Sequence, residues 1–128
     1  MKNIIVYGSL RYGLWNYKTF LSQNKPDRAV VISGFKMYDL GGFPCIVRDS
    51  EGSIIAETFR EVDDLVANDI SRMEIGAGYK EIKVNFKGED YSMYIFENKP
   101  VGEFVELIEG GDYIEFLKEK YDKNNQNK

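Results

Sequence analysis

The sequence has no histidine, and that one absence closes off several chemistries. Neither a Ser-His-Asp triad nor a Cys-His pair can be built within the chain. With a single thiol, Cys45, and no imidazole, a conventional zinc site lacks ligands. One cysteine also excludes an intramolecular disulfide. An acid–base catalyst working near neutral pH must then be a carboxylate, lysine or tyrosine with a displaced pKa. Basic residues are outnumbered, 17 Lys and Arg against 21 Asp and Glu, and form no stripe, which argues against a nucleic-acid partner. Apolar runs are too short to span a membrane. Met1-Lys2-Asn3 leads directly into strand-like sequence with no signal-peptide core, so the expected location is cytoplasmic.

What is present is a chain of 128 residues, rich in tyrosine and phenylalanine and long enough for one hydrophobic core. Residues 1–121 read as one domain and 122–128 as a polar C-terminal tail. Residues 3–8 read as a first strand and 15–23 as a short helix anchored by Trp15, Phe20 and Leu21. The stretch from Arg28 to Tyr38 reads as a strand with a bulge or close approach at Gly34. A turn at Asp39–Pro44 leads to a strand through Cys45-Ile46-Val47. Asp49–Gly52 then reads as a hairpin turn before a strand from Ile54 to Arg60.

Val62, Leu65, Val66, Ile70 and Met73 recur at helical spacing, so residues 63–74 read as a helix capped by Asp63 or Asp64. Tyr79–Phe86 and Tyr91–Phe96 form a hairpin about Lys87–Asp90. A terminal helix covers Asp112–Tyr121, with Tyr113, Phe116 and Leu117 inward. Periodicity alone supports an α+β domain. About six strands, few helices and tight turns suggest a small mixed β-barrel with helices packed outside.

The chemistry concentrates in two places. Tyr7-Gly8-Ser9-Leu10-Arg11 follows the apolar run Ile4-Ile5-Val6, so a strand runs straight into a glycine turn. Successive amides at such a turn can form a concavity for a carboxylate or a developing oxyanion. The spacings of a P-loop and of a dinucleotide fingerprint are both absent. The second place is Glu74, at the last turn of the 63–74 helix. The negative end of the helix dipole and burial beside Met73 and Ile75 would both raise its pKa. An exposed glutamate at a helix end is the commoner fate of such a residue. Cys45 reads as a buried, inert thiol.

These segments resemble the gamma-glutamylcyclotransferase-like superfamily, which includes AIG2-like and gamma-glutamylamine cyclotransferase proteins. Tyr7-Gly8-Ser9-Leu10-Arg11, with Asn16 following, resembles its signature loop. Ile70-Ser71-Arg72-Met73-Glu74 before Gly78-Tyr79-Lys80 is similar to its second motif, with Ser71 for the usual aspartate and Ile75 for the usual glycine. Gly34, Tyr38 and Phe43-Pro44 resemble a third stretch. Ala56-Glu57-Thr58-Phe59 resembles a fourth, with alanine for glycine. Ile108-Glu109-Gly110-Gly111-Asp112-Tyr113 resembles the closing motif, with tyrosine for tryptophan.

The resemblance implies an enzyme that cleaves a gamma-glutamyl amide by attack of its own alpha-amine, releasing 5-oxoproline and a free amine. It implies Glu74 as general acid–base, with Tyr7, Gly8, Ser9, Leu10, Arg11 and Tyr79 around the substrate. Arg11 would supply positive charge or stand at the surface. Tyr7 would pack or orient, because a phenol ionises near pH 10. Tyr113 would line the pocket or join the core. The implied reaction calls for no cofactor and no metal, and its partner is a small gamma-glutamyl molecule. The oligomeric state stays open, and a monomer suffices. Two competing readings are a non-catalytic binding or regulatory module on the same fold, and a structural protein with no pocket between the loop and Glu74.

Overall fold

A computed structural model describes residues 1–126, with side chains placed through Asp122. Six strands form one mixed sheet: β1 (Lys2–Val6), β2 (Arg28–Asp39), β3 (Pro44–Val62), β4 (Lys80–Phe86), β5 (Glu89–Ile95) and β6 (Glu106–Leu107). Two α-helices, α1 (Asp64–Gly76) and α2 (Tyr113–Gln126), accompany a π-helical turn at Tyr17–Leu21 and a 3₁₀ turn at Glu109–Gly111. The strand order is β4-β5-β1-β3-β2-β6. β1 runs parallel to β5, and every other pairing is antiparallel. The sheet curls as expected, but β4 and β6 remain unpaired edges among the described residues, so it is an open sheet rather than a closed barrel.

The apolar run at the start of the chain makes β1 central. Ile4 and Val6 pack in one buried cluster, with Ala67 and Ile70 of α1 and with Tyr79 and Tyr94. Ile5 and Tyr7 pack in the other, with Tyr113 of α2 and Ile108. A strand whose successive side chains point to opposite faces must be apolar throughout when both faces are covered. Ala56, where the resembled family carries glycine, is fully buried in the α2-side cluster.

Several elements differ from their sequence reading. Asp49–Gly52 is not a hairpin turn. The pairing steps from Ser33↔Ser53 to Phe35↔Arg48, so these four residues bulge out of β3 opposite Gly34 and the strand rejoins the same partner. Gly34 sits at that shift with φ +94°, a backbone angle that favours glycine. The 15–23 helix starts at Trp15 as read but ends at Leu21, its last five residues, Tyr17–Leu21, forming a π-helical turn buried through Tyr17 and Leu21; Trp15 is an exposed side chain set edge-on to Tyr113. Leu65 also faces solvent, and its backbone N–H donates at 2.9 Å to Asp63, which caps the helix. β6 is two residues long and gave no strand pattern; it pairs with the end of β2 through Tyr38↔Leu107 and Asp39↔Glu106.

α2 carries helical backbone to Gln126, into the stretch read as a polar tail; Asn127 and Lys128 of that stretch lie outside the described residues. No helix among the described residues is long and apolar enough to cross a membrane.

Candidate active site

β1 ends at Val6, and the chain leaves the sheet through Tyr7, Gly8, Ser9 and Leu10. This loop is tied from several sides. The Arg11 N–H donates to the Gly8 carbonyl at 3.0 Å, the Tyr17 N–H to the Ser9 carbonyl at 3.1 Å, and Asn16 Nδ2 to Ser9 Oγ at 2.6 Å. The amides of Gly8, Ser9 and Leu10 meet no protein acceptor among the described residues. They are backbone donors without a protein partner there.

Gly8 serves this loop by leaving space rather than by an unusual backbone angle. Its φ is not positive. A Cβ built there would stand 2.8 Å from Pro44 Cγ and 3.3 Å from Pro44 Cδ. Glycine is required for close approach to the neighbouring hairpin, whose Phe43 and Pro44 form part of the same cavity wall. Gly8→Ala should therefore displace Pro44 and the loop and lower stability by about 1–3 kcal/mol. Urea unfolding of wild type and variant checks this, and equal stabilities would refute the packing account.

Glu74 lies near the C-terminal end of α1, where its carbonyl accepts the N–H groups of Ala77 and Tyr79. Glu74 lines the cavity, and its carboxyl group has no hydrogen bond or ion pair to another side chain among the described residues. Burial pushes its pKa up from 4.5 to about 7.

The cavity has a volume of about 190 Å³ and sits between the end of β1, the start of β3, α1 and β5. Tyr7, Tyr79 and Tyr94 line it and bind its walls together. Tyr7 donates its hydroxyl to the Tyr94 carbonyl at 2.7 Å, and Tyr79 donates to the Pro44 carbonyl. The Tyr94 hydroxyl donates to Glu81 at 2.9 Å. Burial lifts the pKa of all three, with Glu74 adding a smaller upward push, so each phenol stays neutral and acts as a donor. Cys45, fully buried behind the wall, is pushed up to about 12 by burial and is no nucleophile.

Of the residues singled out in the sequence, Tyr7, Gly8, Ser9, Leu10, Glu74 and Tyr79 meet at this cavity. Arg11 does not line it. Neither a surface residue nor a free charge, it is 6% exposed and its guanidinium is taken by Glu57 and Asp112. Tyr113 belongs to the α2-side core, and Ile75, standing where the resembled family has glycine, projects into solvent. Tyr94 was not legible as a lining residue, since an aromatic in a buried strand looks like core. Among the described residues that line the cavity, Glu74 alone carries a formal charge. No cluster of three or more His, Cys, Asp or Glu among the described residues is arranged to hold a metal ion. The site offers one carboxyl group able to exchange a proton near neutral pH and, beside it, backbone donors without a protein partner among the described residues.

The family model described as "Gamma-glutamyl cyclotransferase, AIG2-like" matches residues 4–115. Among solved structures, the uncharacterized protein PH0828 from Pyrococcus horikoshii is 29% identical, with a TM-score of 0.79 over 95% of this chain and 98% of that one. Protein ytfP from Escherichia coli is 25% identical, with a TM-score of 0.69 over 90% and 98%. The uropathogenic E. coli protein c4763, 18% identical with a TM-score of 0.73 over 91% and 95%, shares the fold. No curated protein matches the chain.

Proposed function

The chain belongs to the AIG2-like gamma-glutamyl cyclotransferase family, and from that premise we propose that it cleaves gamma-glutamyl amides by internal cyclisation, with Glu74 as acid–base. One observation carries the reading. A carboxyl group lifted to about 7, with no ion partner among the described residues, lines the same small cavity as a row of unengaged amides. A mere binding module would gain nothing from a proton acceptor poised near neutral pH.

The substrate's alpha-ammonium sits at Glu74, which takes one of its protons. The freed amine attacks the gamma-carbonyl carbon, and negative charge moves to the carbonyl oxygen near the amides of Gly8, Ser9 and Leu10. The ring nitrogen sheds a second proton as the tetrahedral intermediate collapses. The carbon–nitrogen bond to the leaving group breaks as protonated Glu74 delivers its proton to that nitrogen. The remaining proton ends on the product amine, so no water is consumed. Because nucleophile and electrophile share one molecule, the cavity mainly has to select the folded conformer.

The charge of the cavity bears on the leaving group. Glu74 is its single formal charge among the described residues, and no lysine or arginine among them lines it. A leaving group bearing a carboxylate finds no counter-ion there. We expect kcat/KM for an uncharged alkyl amide to exceed that for a gamma-glutamyl amino acid by about tenfold, equivalent to ~1.4 kcal/mol. The test is 5-oxoproline release from gamma-glutamyl amides of alkylamines, lysine and amino acids. Release from at least one class supports cyclisation. Saturable binding with no 5-oxoproline from any of them would replace the enzyme with a binding module.

A further inference from the structure

Three separate stretches of the chain meet at one buried guanidinium. Arg11, at the exit of the amide-bearing loop, donates from Nε to Glu57 Oε2 at 2.9 Å and from Nη1 to Asp112 Oδ1 at 2.8 Å. Glu57 lies on the central strand β3 and is buried. Asp112 precedes α2, and its Oδ1 also accepts the Glu115 N–H at 3.2 Å. None of the three lines the cavity, so the cyclisation chemistry leaves them without a task.

Glu57 has a second grip on the same loop. Its other oxygen, Oε1, accepts the Tyr12 N–H at 2.7 Å. In the sheet Glu57 is also the register partner of Val6, the last residue of β1. The loop from Tyr7 to Leu10 therefore begins on the backbone of Glu57 and ends on its carboxylate, through Arg11 and Tyr12. Held at both ends by one residue of the central strand, it cannot rotate its amides without breaking a buried charge pair. Removing one member of such a pair leaves an uncompensated buried charge, so the clamp is stiff. Asp112 ties the same guanidinium to α2.

We propose that Arg11, Glu57 and Asp112 form a positioning clamp that fixes the amides of Gly8, Ser9 and Leu10 toward the substrate. This rests on the cyclotransferase reading of the cavity and assigns its loop geometry to residues outside it. None of the three is a catalytic residue; they act through the loop. Misplacing reacting groups by about an ångström costs on the order of 100-fold in rate.

The experiment compares wild type with Glu57→Gln, Arg11→Met, Arg11→Lys and Asp112→Asn, each at a temperature where circular dichroism shows it folded. It reads turnover of the best gamma-glutamyl amide, the affinity for 5-oxoproline, and the ¹⁵N–¹H resonances of Gly8, Ser9 and Leu10. We expect kcat/KM of folded Glu57→Gln to fall about 100-fold, with displaced loop resonances. Arg11→Lys should recover part of what Arg11→Met loses, because it restores the charge. If Glu57→Gln does not fold, Asp112→Asn takes its place with a smaller loss, about tenfold, since Glu57 still holds the loop. Lower thermal stability with unchanged kcat/KM, affinity and loop resonances would overturn the clamp and leave a purely structural ion pair. Inactive wild type would instead sink the cyclotransferase reading; the loop resonances and 5-oxoproline affinity would still decide the clamp.

Discussion

Glu74→Gln is expected to lower 5-oxoproline formation by on the order of 1000-fold, within the range general acid–base groups supply. The amide keeps the shape of the side chain and cannot exchange a proton. Substrate binding should weaken far less than turnover falls, because the loop amides are untouched. In the wild-type enzyme kcat/KM should climb as pH rises through about 7, where Glu74 becomes the carboxylate able to accept a proton.

The same substitution should stabilise the protein, and the sign follows from the raised pKa. Below pH 4.5 Glu74 is protonated whether the chain is folded or not, and its charge costs nothing. Between 4.5 and about 7 the unfolded chain has lost the proton that the folded protein keeps, so stability falls as pH rises. Above about 7 the full cost of holding a half-buried carboxylate is present. Glutamine removes that cost, so the variant should gain about 2 kcal/mol on wild type at about pH 8 and nothing comparable at about pH 4. Urea unfolding at the two pH values checks this. A variant equally stable at both, with turnover intact, would take Glu74 out of the reaction.

How much of this was legible in the sequence depends on the kind of signal each feature leaves. β1 was readable because a strand covered on both faces must be apolar at consecutive positions, as Ile4-Ile5-Val6 is. α1 announced itself through its periodicity and its Asp63 cap. Asp49–Gly52 carries every mark of a hairpin turn. Nothing local says that the residues beyond it return to the same partner strand, because pairing is a long-range choice. β6 is too short to carry a period.

The site divides in the same way. Glycine at position 8 was visible, but its reason was not: the contact with Pro44 joins positions distant in sequence. Glu74 looked like any helix-end carboxylate until a family resemblance singled it out, since burial is a property of the folded chain. Arg11 was the least legible of all. A lone arginine after a glycine turn gives no hint of Glu57 and Asp112, which lie 46 and 101 positions away.

Gly111→Ala should be among the most damaging single-methyl additions in the molecule, lowering stability by about 3–5 kcal/mol. Gly111 is buried, with φ +64°, where any other residue is strained. A Cβ there would stand 2.4 Å from the Ser53 carbonyl oxygen and 2.8 Å from Ile54 Cα, both backbone atoms of β3 that cannot swing aside. Gly110 is the internal control. It has φ +80° and nothing within 4 Å of an added methyl group. Gly110→Ala therefore carries the backbone strain without the collision and should lose about 1 kcal/mol. Urea midpoints of the two variants separate the terms, and equal losses would show that the approach to β3 is unimportant. The consequence reaches the candidate active site. Gly111 immediately precedes Asp112, so any shift that relieves the clash also moves the carboxylate holding Arg11. Gly111→Ala should therefore lose turnover beyond its unfolded fraction, whereas Gly110→Ala should lose none, and that difference ties the closing glycine to the loop at the far end of the chain.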